Sequence, residues 1–188
     1  MARTVLAIVG MPGAGKSSVA SWFAKRGAHV VRLGQVIIDE VEARGMEVSE
    51  ESERSVREQL RLTGGPLAIA DIAFRKVSGL LEDGSWVVVD GIYSLDEYLF
   101  FKEKLDQQLV VVCVHSAPGL RYQRLADRKE RPLEPSVALQ RDISELCTLS
   151  KGGPIAMADA VLVNDGTWEQ LERQIKSILP AWGCQTYV

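Results

Sequence analysis

The chain has 188 residues, a hydrophobic fraction of 46% and a formal net charge of −3. This is enough apolar side chain for the core of one domain of ordinary size, and it excludes a disordered chain. The slightly acidic balance offers no basic surface for nucleic acid, and no uninterrupted apolar run approaches bilayer length.

In chain order, TVLAIVG (Thr4 to Gly10) reads as a buried strand and Lys16 to Arg26 as a helix that Gly27 ends. AHVVRLG (Ala28 to Gly34) is a second strand. Residues 35–77 interrupt the rhythm with three helical stretches; Gly45 ends the first, Gly64 the second, and Pro66 suits the opening turn of the third. SWVVVDG (Ser85 to Gly91) and LVVVCVH (Leu109 to His115) are apolar on both faces, as central strands of a covered parallel sheet must be. A second interruption spans residues 126–158. DAVLVND (Asp159 to Asp165) is a fifth strand, and TWEQLERQIKSIL closes as a helix with Thr167 at its N-cap. This alternation predicts an α/β fold with right-handed crossovers and a five-stranded parallel sheet, helices on both faces. It is one domain over 1–188, with a core of 1–34, 78–125 and 159–188.

GMPGAGKSS, from Gly10 to Ser18, satisfies G-x-x-x-x-G-K-[ST] between a strand and a helix. Phosphate oxygens need close approach to backbone N–H groups, which Gly10, Gly13 and Gly15 permit, with Pro12 and Ala14 completing the curl. The following helix aims its positive end at the anion. Lys16 reaches the β- and γ-phosphates, the Ser17 hydroxyl ligates Mg²⁺, and Ser18 follows in the first turn. Asp90, closing WVVVD, is the carboxylate expected at a neighbouring strand end to hold the same Mg²⁺; a turn-forming Asp before Gly91 is the bland alternative. ATP and Mg²⁺ are the expected cofactors, although no base-reading motif separates ATP from GTP.

Arg121, Arg124 and Arg128 stand at i, i+3 and i+7, a spacing that puts them on one helix face; Arg131 and Arg141 follow. As a cluster they suit a transferring phosphoryl group, whereas each singly is equally well a solvated residue paired with Asp127, Glu130 or Glu134. Asp39 and Glu40 are either a general base for an acceptor hydroxyl or an exposed helix face. Cys113, Cys147 and Cys184 are odd in number and scattered, which reads as reduced thiols. The leading apolar stretch meets Pro12 and Gly13 too early for a signal peptide. A cytoplasmic protein with no membrane or nucleic-acid partner is expected.

GMPGAGKSS, LGQVI, VVVDGIYS, RYQRLADRKERP, QRDISE and ADAVLVNDGTWEQL, in this order, make the chain resemble the P-loop nucleoside monophosphate kinase-like group. Within it, the nearest likeness is to archaeal adenylate kinase-related, dephospho-CoA kinase-like proteins. The resemblance implies a three-layer P-loop sandwich in which residues 35–77 hold the phosphoryl acceptor and 126–158 form a lid. It implies donor binding by Gly10 to Ser18, metal assistance from Asp90, donor contacts from Arg124 or Arg128, and lid completion by Arg141. Asn164 falls in a segment near the adenine, or is a plain loop residue. Gly34, Gly91 and Tyr93 fall on the acceptor side. The group carries one arginine shortly after the LGQ residues and another after the strand-ending Asp-Gly; here Ile38 and Tyr93-Ser94 stand there. Arg57 and Arg61, on one helical face, and Arg44 are the candidate replacements, with surface pairing to Glu53 or Glu58 as the other reading. The expected activity is ATP-dependent phosphorylation of a nucleotide-like small molecule. Dephospho-CoA kinase-like activity and a nucleotide-dependent regulator with slow hydrolysis are the alternatives.

Overall fold

The valine-rich runs form five strands: β1 (Val5–Val9), β2 (His29–Arg32), β3 (Val87–Asp90), β4 (Leu109–His115) and β5 (Ala160–Val163). They belong to a computed structural model that describes residues 4–182. All pairings are parallel, in the order β2-β3-β1-β4-β5. Successive side chains of a strand face opposite ways. Accordingly Val5, Ala7 and Val9 enter one core layer, and Leu6 and Ile8 the other. Burial on both faces is what makes β1, β3 and β4 continuous apolar runs.

Nine α-helices are described: α1 (Lys16–Ala24), α2 (Leu33–Ala43), α3 (Glu50–Gly64), α4 (Ala68–Glu82), α5 (Leu95–Leu105), α6 (Pro118–Ala126), α7 (Pro135–Leu149), α8 (Gly152–Ala156) and α9 (Trp168–Ile178). One layer is built on α1 and α9, where Trp22, Phe23, Leu171 and Ile175 are buried. Phe23 packs edge-on against both Trp22 and Trp86. The opposite layer takes α2, α4 and α5, with Phe74, Phe100 and Phe101 in edge contact. Each fully buried Leu, Ile, Val or Phe contributes about 1.5–3 kcal/mol, so these two layers dominate stability.

Several boundaries differ from the sequence reading. The second strand stops at Arg32, because its β3 partner Asp90 ends the ladder there; Leu33 and Gly34 already belong to α2. Gly64 is the last residue of α3 rather than its stop; Gly65, with φ +81°, ends it. Pro66 precedes α4 by two residues instead of lying in its first turn. That helix runs to Glu82 and buries Ala73 and Val77 in the sheet layer. The sequence reading also named no helix between β3 and β4. There α5 begins in a capping box, with Ser94 accepting from the Glu97 N–H and Glu97 closing back on the loop.

Among the described residues, no helix is long and apolar enough to cross a membrane. Cys113 is buried in β4 and Cys147 is exposed on α7; Cys184 lies outside the described residues.

Candidate active site

The chain leaves β1 through a loop that returns at Gly15, the N-cap of α1. Gly13 and Gly15 have φ of +79° and +101°, backbone that other residues adopt only under strain. Space forbids substitution as well: a Cβ on Gly13 would lie 2.7 Å from the Arg121 carbonyl oxygen, and one on Gly15 would meet the Asn164 side-chain amide. Lys16 donates to the carbonyls of Gly10 (2.9 Å) and Met11 (3.1 Å). Burial, then the nearby Lys151 ammonium, pull its pKa down to about 8 against the attraction of Asp90 and Glu145. Ser17 and Ser18 are exposed in the first turn of α1, which contains no acidic residue. Free N–H groups and the positive helix end make this turn an anion-binding surface.

Asn164, just past β5, is not a plain loop residue but is bonded on both sides. Its N–H donates to His115 O and its side-chain amide to Ala14 O, each at 2.8 Å. Arg124 donates to Ser116 Oγ at 3.1 Å and to Asn164 O at 2.8 Å. Asn164 and Arg124 thus brace the phosphate loop from the β4–β5 side.

The arginines do not share one face. The sixth helix ends at Ala126, so Arg128 lies beyond it and is exposed. Arg121 is 4% exposed and bonded into the fold: it donates to Pro12 O (3.0 Å), Ser116 O (3.2 Å) and Asp142 (2.6 Å). Those bonds commit its guanidinium to holding the loop rather than to a mobile phosphate. Arg131, with φ +50°, reaches across to Glu53 on α3 at 3.0 Å. The Glu53 that sequence reasoning offered to Arg57 or Arg61 is taken by this partner.

Asp90 ends β3 beside the loop. Burial pushes its carboxyl up, while Lys16 and Arg32 pull it down; Arg32 Nε is 3.4 Å away. A desolvated carboxylate whose cationic neighbours do not fully compensate fits a divalent cation, and the exposed hydroxyl of Ser17 in the first turn of α1 is an oxygen ligand of the kind such a cation takes. Gly91 follows with φ +94°, and a Cβ there would strike the Tyr93 ring.

A cavity of about 720 Å³ opens between α2, α3, α5 and α7, and two of its residues, Arg141 and Glu145, act electrostatically on Lys16 of the phosphate loop. Gly34 and Ile37 of α2, Arg57 and Arg61 of α3, Tyr93 and Glu97 near α5, and Arg141 and Glu145 of α7 all line it. Among the described residues Arg57 and Arg61 have no ion pair. Arg141 is paired to Glu145 at 2.8 Å. Burial drives the Tyr93 phenol up to about 12, so it stays a neutral donor. Asp39 is outside this set. Its carboxylate bonds to Lys76 and accepts from Gln35, which holds its pKa down and makes it a helix-surface ion pair rather than a base. Glu40 is similarly paired with Arg44.

Four cavity or loop residues carried no role in the sequence reading: Arg32, Glu97, Glu145 and Lys151. Local spacing held a signal for two of them, the S-x-x-E capping box that places Glu97 after Ser94 and the i,i+4 pair of Glu145 with Arg141, while nothing nearby in sequence marks Arg32 or Lys151. Arg32 meets Asp90 through the β2–β3 register, and Lys151 is enclosed against Tyr93 by elements that meet only in three dimensions.

A family model described as an AAA domain matches residues 6–145. A UPF0200 protein from Thermococcus gammatolerans is 38% identical over 178 residues, covering 93% of each chain. The crystal structure of TT1252 from Thermus thermophilus superposes with a TM-score of 0.67 at 20% identity, covering 96% of this chain and 98% of that one. A shikimate kinase from Bacteroides thetaiotaomicron superposes with a TM-score of 0.60 at 14% identity, with the same coverage. These two likenesses establish the P-loop kinase-like fold. The strand–loop–helix geometry, the sheet order and the relatives together assign the chain to the AAA domain family, as a member of the P-loop kinase-like group related to the UPF0200 proteins.

Proposed function

We propose that the chain is an ATP-dependent phosphotransferase acting on a nucleotide-like small molecule, with an AMP-like monophosphate as first acceptor. The observation that supports this most is the cavity itself. Its residues lie close enough to the phosphate loop that Arg141 and Glu145 act on the Lys16 ammonium, and it carries two arginines that have no ion-pair partner among the described residues, Arg61 acting on Glu97 only at longer range. An anionic acceptor supplies those partners.

In this reading the loop from Gly10 to Ser18 cradles the donor phosphates, and Lys16 leaves its two carbonyl partners for the β- and γ-oxygens. Arg57 and Arg61 grip the acceptor's anion, while Gly34 and Tyr93 shape the wall against it, with Gly91 leaving room for the Tyr93 ring. Arg141 covers the moving group. Arg124 and Asn164 support the donor side through the loop; Arg128, exposed beyond α6, is left with a donor contact only on lid closure. An acceptor oxygen attacks the terminal phosphorus in line, and the bond to the bridging oxygen breaks with its electron pair leaving on ADP. An ionised phosphate acceptor needs no general base, consistent with the paired state of Asp39. Ser17 and Asp90 would hold Mg²⁺, which when bound would neutralise charge on the donor phosphates. Positioning and electrostatics supply most of the rate.

The test is incubation with ATP and Mg²⁺ plus AMP, CMP or dephospho-CoA separately, with phosphorylated acceptor quantified. Acceptor-dependent ADP formation well above hydrolysis alone is expected, largest with AMP. Product with dephospho-CoA alone moves the acceptor to that compound. Identical ADP release with and without every acceptor overturns the phosphotransferase and leaves a nucleotide-dependent regulator.

A further inference from the structure

The turn between α7 and α8 carries a lysine that is among the most enclosed polar residues of the molecule. Lys151 is 2% exposed. Ser150 before it has φ +51°, and the Lys151 N–H closes the end of α7 on Glu145 O at 3.3 Å, so the backbone holds the side chain inward. Its ammonium is ion-paired with Glu145 and stands 5.1 Å from the centre of the Tyr93 ring. An ammonium has three donors, and Glu145 is the one side chain that receives from this one among the described residues. A buried cation with unspent donors is costly unless a further acceptor arrives.

The surroundings indicate which acceptor. Glu145 and Tyr93, both touching Lys151, line the cavity. Lys16 of the phosphate loop lies within the electrostatic field of Lys151. Glu145 divides its carboxylate, with Oε1 to Arg141 and Oε2 to Lys151. One carboxylate thus stores two cations at the boundary between loop and cavity. A polyphosphate end carries more charge than the half-share of Glu145, so it can draw Lys151 away while Arg141 retains its own oxygen.

We propose that Lys151 is a second phosphate-binding cation of this site, exchanging Glu145 for the terminal phosphate of a bound nucleoside triphosphate. This rests on the nucleotide-binding part of the function proposed above, and not on transfer to an acceptor. Lys151 thereby distinguishes triphosphate from diphosphate.

The test is calorimetric titration of wild type, Lys151→Met, Lys151→Arg and Glu145→Gln with Mg²⁺ and either ADP or the non-hydrolysable ATP analogue AMP-PNP. Circular dichroism checks that each variant is folded. Lys151→Met is expected to weaken AMP-PNP by about tenfold or more, the scale of a charged hydrogen bond, and ADP by less than about twofold. Lys151→Arg should recover part of the loss. Glu145→Gln, which releases the ammonium, should leave AMP-PNP binding as tight or tighter. A plain structural ion pair gives the opposite pattern: both substitutions weaken both nucleotides alike, and that result overturns the proposal. Should Lys151→Met fail to fold, Glu145→Gln decides by its sign. Wild-type protein that binds neither nucleotide overturns this proposal and the nucleotide reading together. Binding of AMP-PNP through Lys151 with no acceptor ever phosphorylated sinks only phosphotransfer.

Discussion

The phosphate loop and the cavity beside it are built in contrasting ways. Every turn of the loop is bonded: Arg121 holds Pro12, Asn164 holds Ala14, and α1 receives the chain at Gly15. The cavity is lined by charges on three separate helices, α3, α5 and α7, and Arg57 and Arg61 are without ion pairs among the described residues. A rigid cradle suits a ligand portion common to all donors. An under-paired wall suits a ligand that brings its own counter-charge. Loss on the loop side should therefore appear as lost stability or lost nucleotide, and loss on the cavity side as lost acceptor.

The largest effect is expected at Arg121. Its pair with Asp142 is nearly solvent-free, and Asp142 Oδ1 is already without a hydrogen-bond partner. Arg121→Met leaves a buried carboxylate uncompensated and should cost about 3–5 kcal/mol in urea unfolding. A loss below about 1 kcal/mol would mean the brace is dispensable. Next, Lys16→Ala should weaken ATP binding by about 2–3 kcal/mol, roughly a hundredfold, with little change in unfolding midpoint. Arg57→Ala should raise the acceptor KM by about tenfold while the KM for ATP stays put. If both constants rise together, loop and cavity are not separate sites.

A pH titration sharpens the contrast further. Burial raises the Glu145 carboxyl, yet Lys151 and Arg141 together outweigh it and hold the group below its ordinary value. A depressed carboxyl contributes stability above its unfolded pKa and loses it as pH falls through the folded one. Wild type should therefore exceed Glu145→Gln by about 1 kcal/mol near neutral pH, and the gap should close on acidification. The smallest effect belongs to the exposed bridge from the lid side to α3. Arg131→Ala should cost less than about 1 kcal/mol, and the difference should vanish in high salt.

The strand–loop–helix unit was legible because its causes are local. The apolar run, the glycines with positive φ and the lysine opening α1 lie within a dozen or so residues. The central strands were legible for a similar reason, since burial on both faces imposes valine runs. Helix edges were less so. Gly64 and Gly65 are equivalent on paper, and only the chain's approach to α4 decides which takes the left-handed turn. The arginine series misled because helical spacing was carried past Ala126, where α6 stops. Arg121 was then drawn inward to Asp142, a partner 21 positions away.

The amino-acid order alone settled that a parallel α/β sheet would form and that a glycine loop would follow its first strand and open a helix. Both follow from interactions between near neighbours and from strand burial. Which cations face a ligand and which are spent on the fold was decided only by tertiary packing. Arg121, Arg57 and Lys151 have much the same chemistry in the chain. Their differences in burial and partner come from how α3, α6, α7 and α8 close over the sheet, and a charge acquires its role from the dielectric and counter-charges that closure provides.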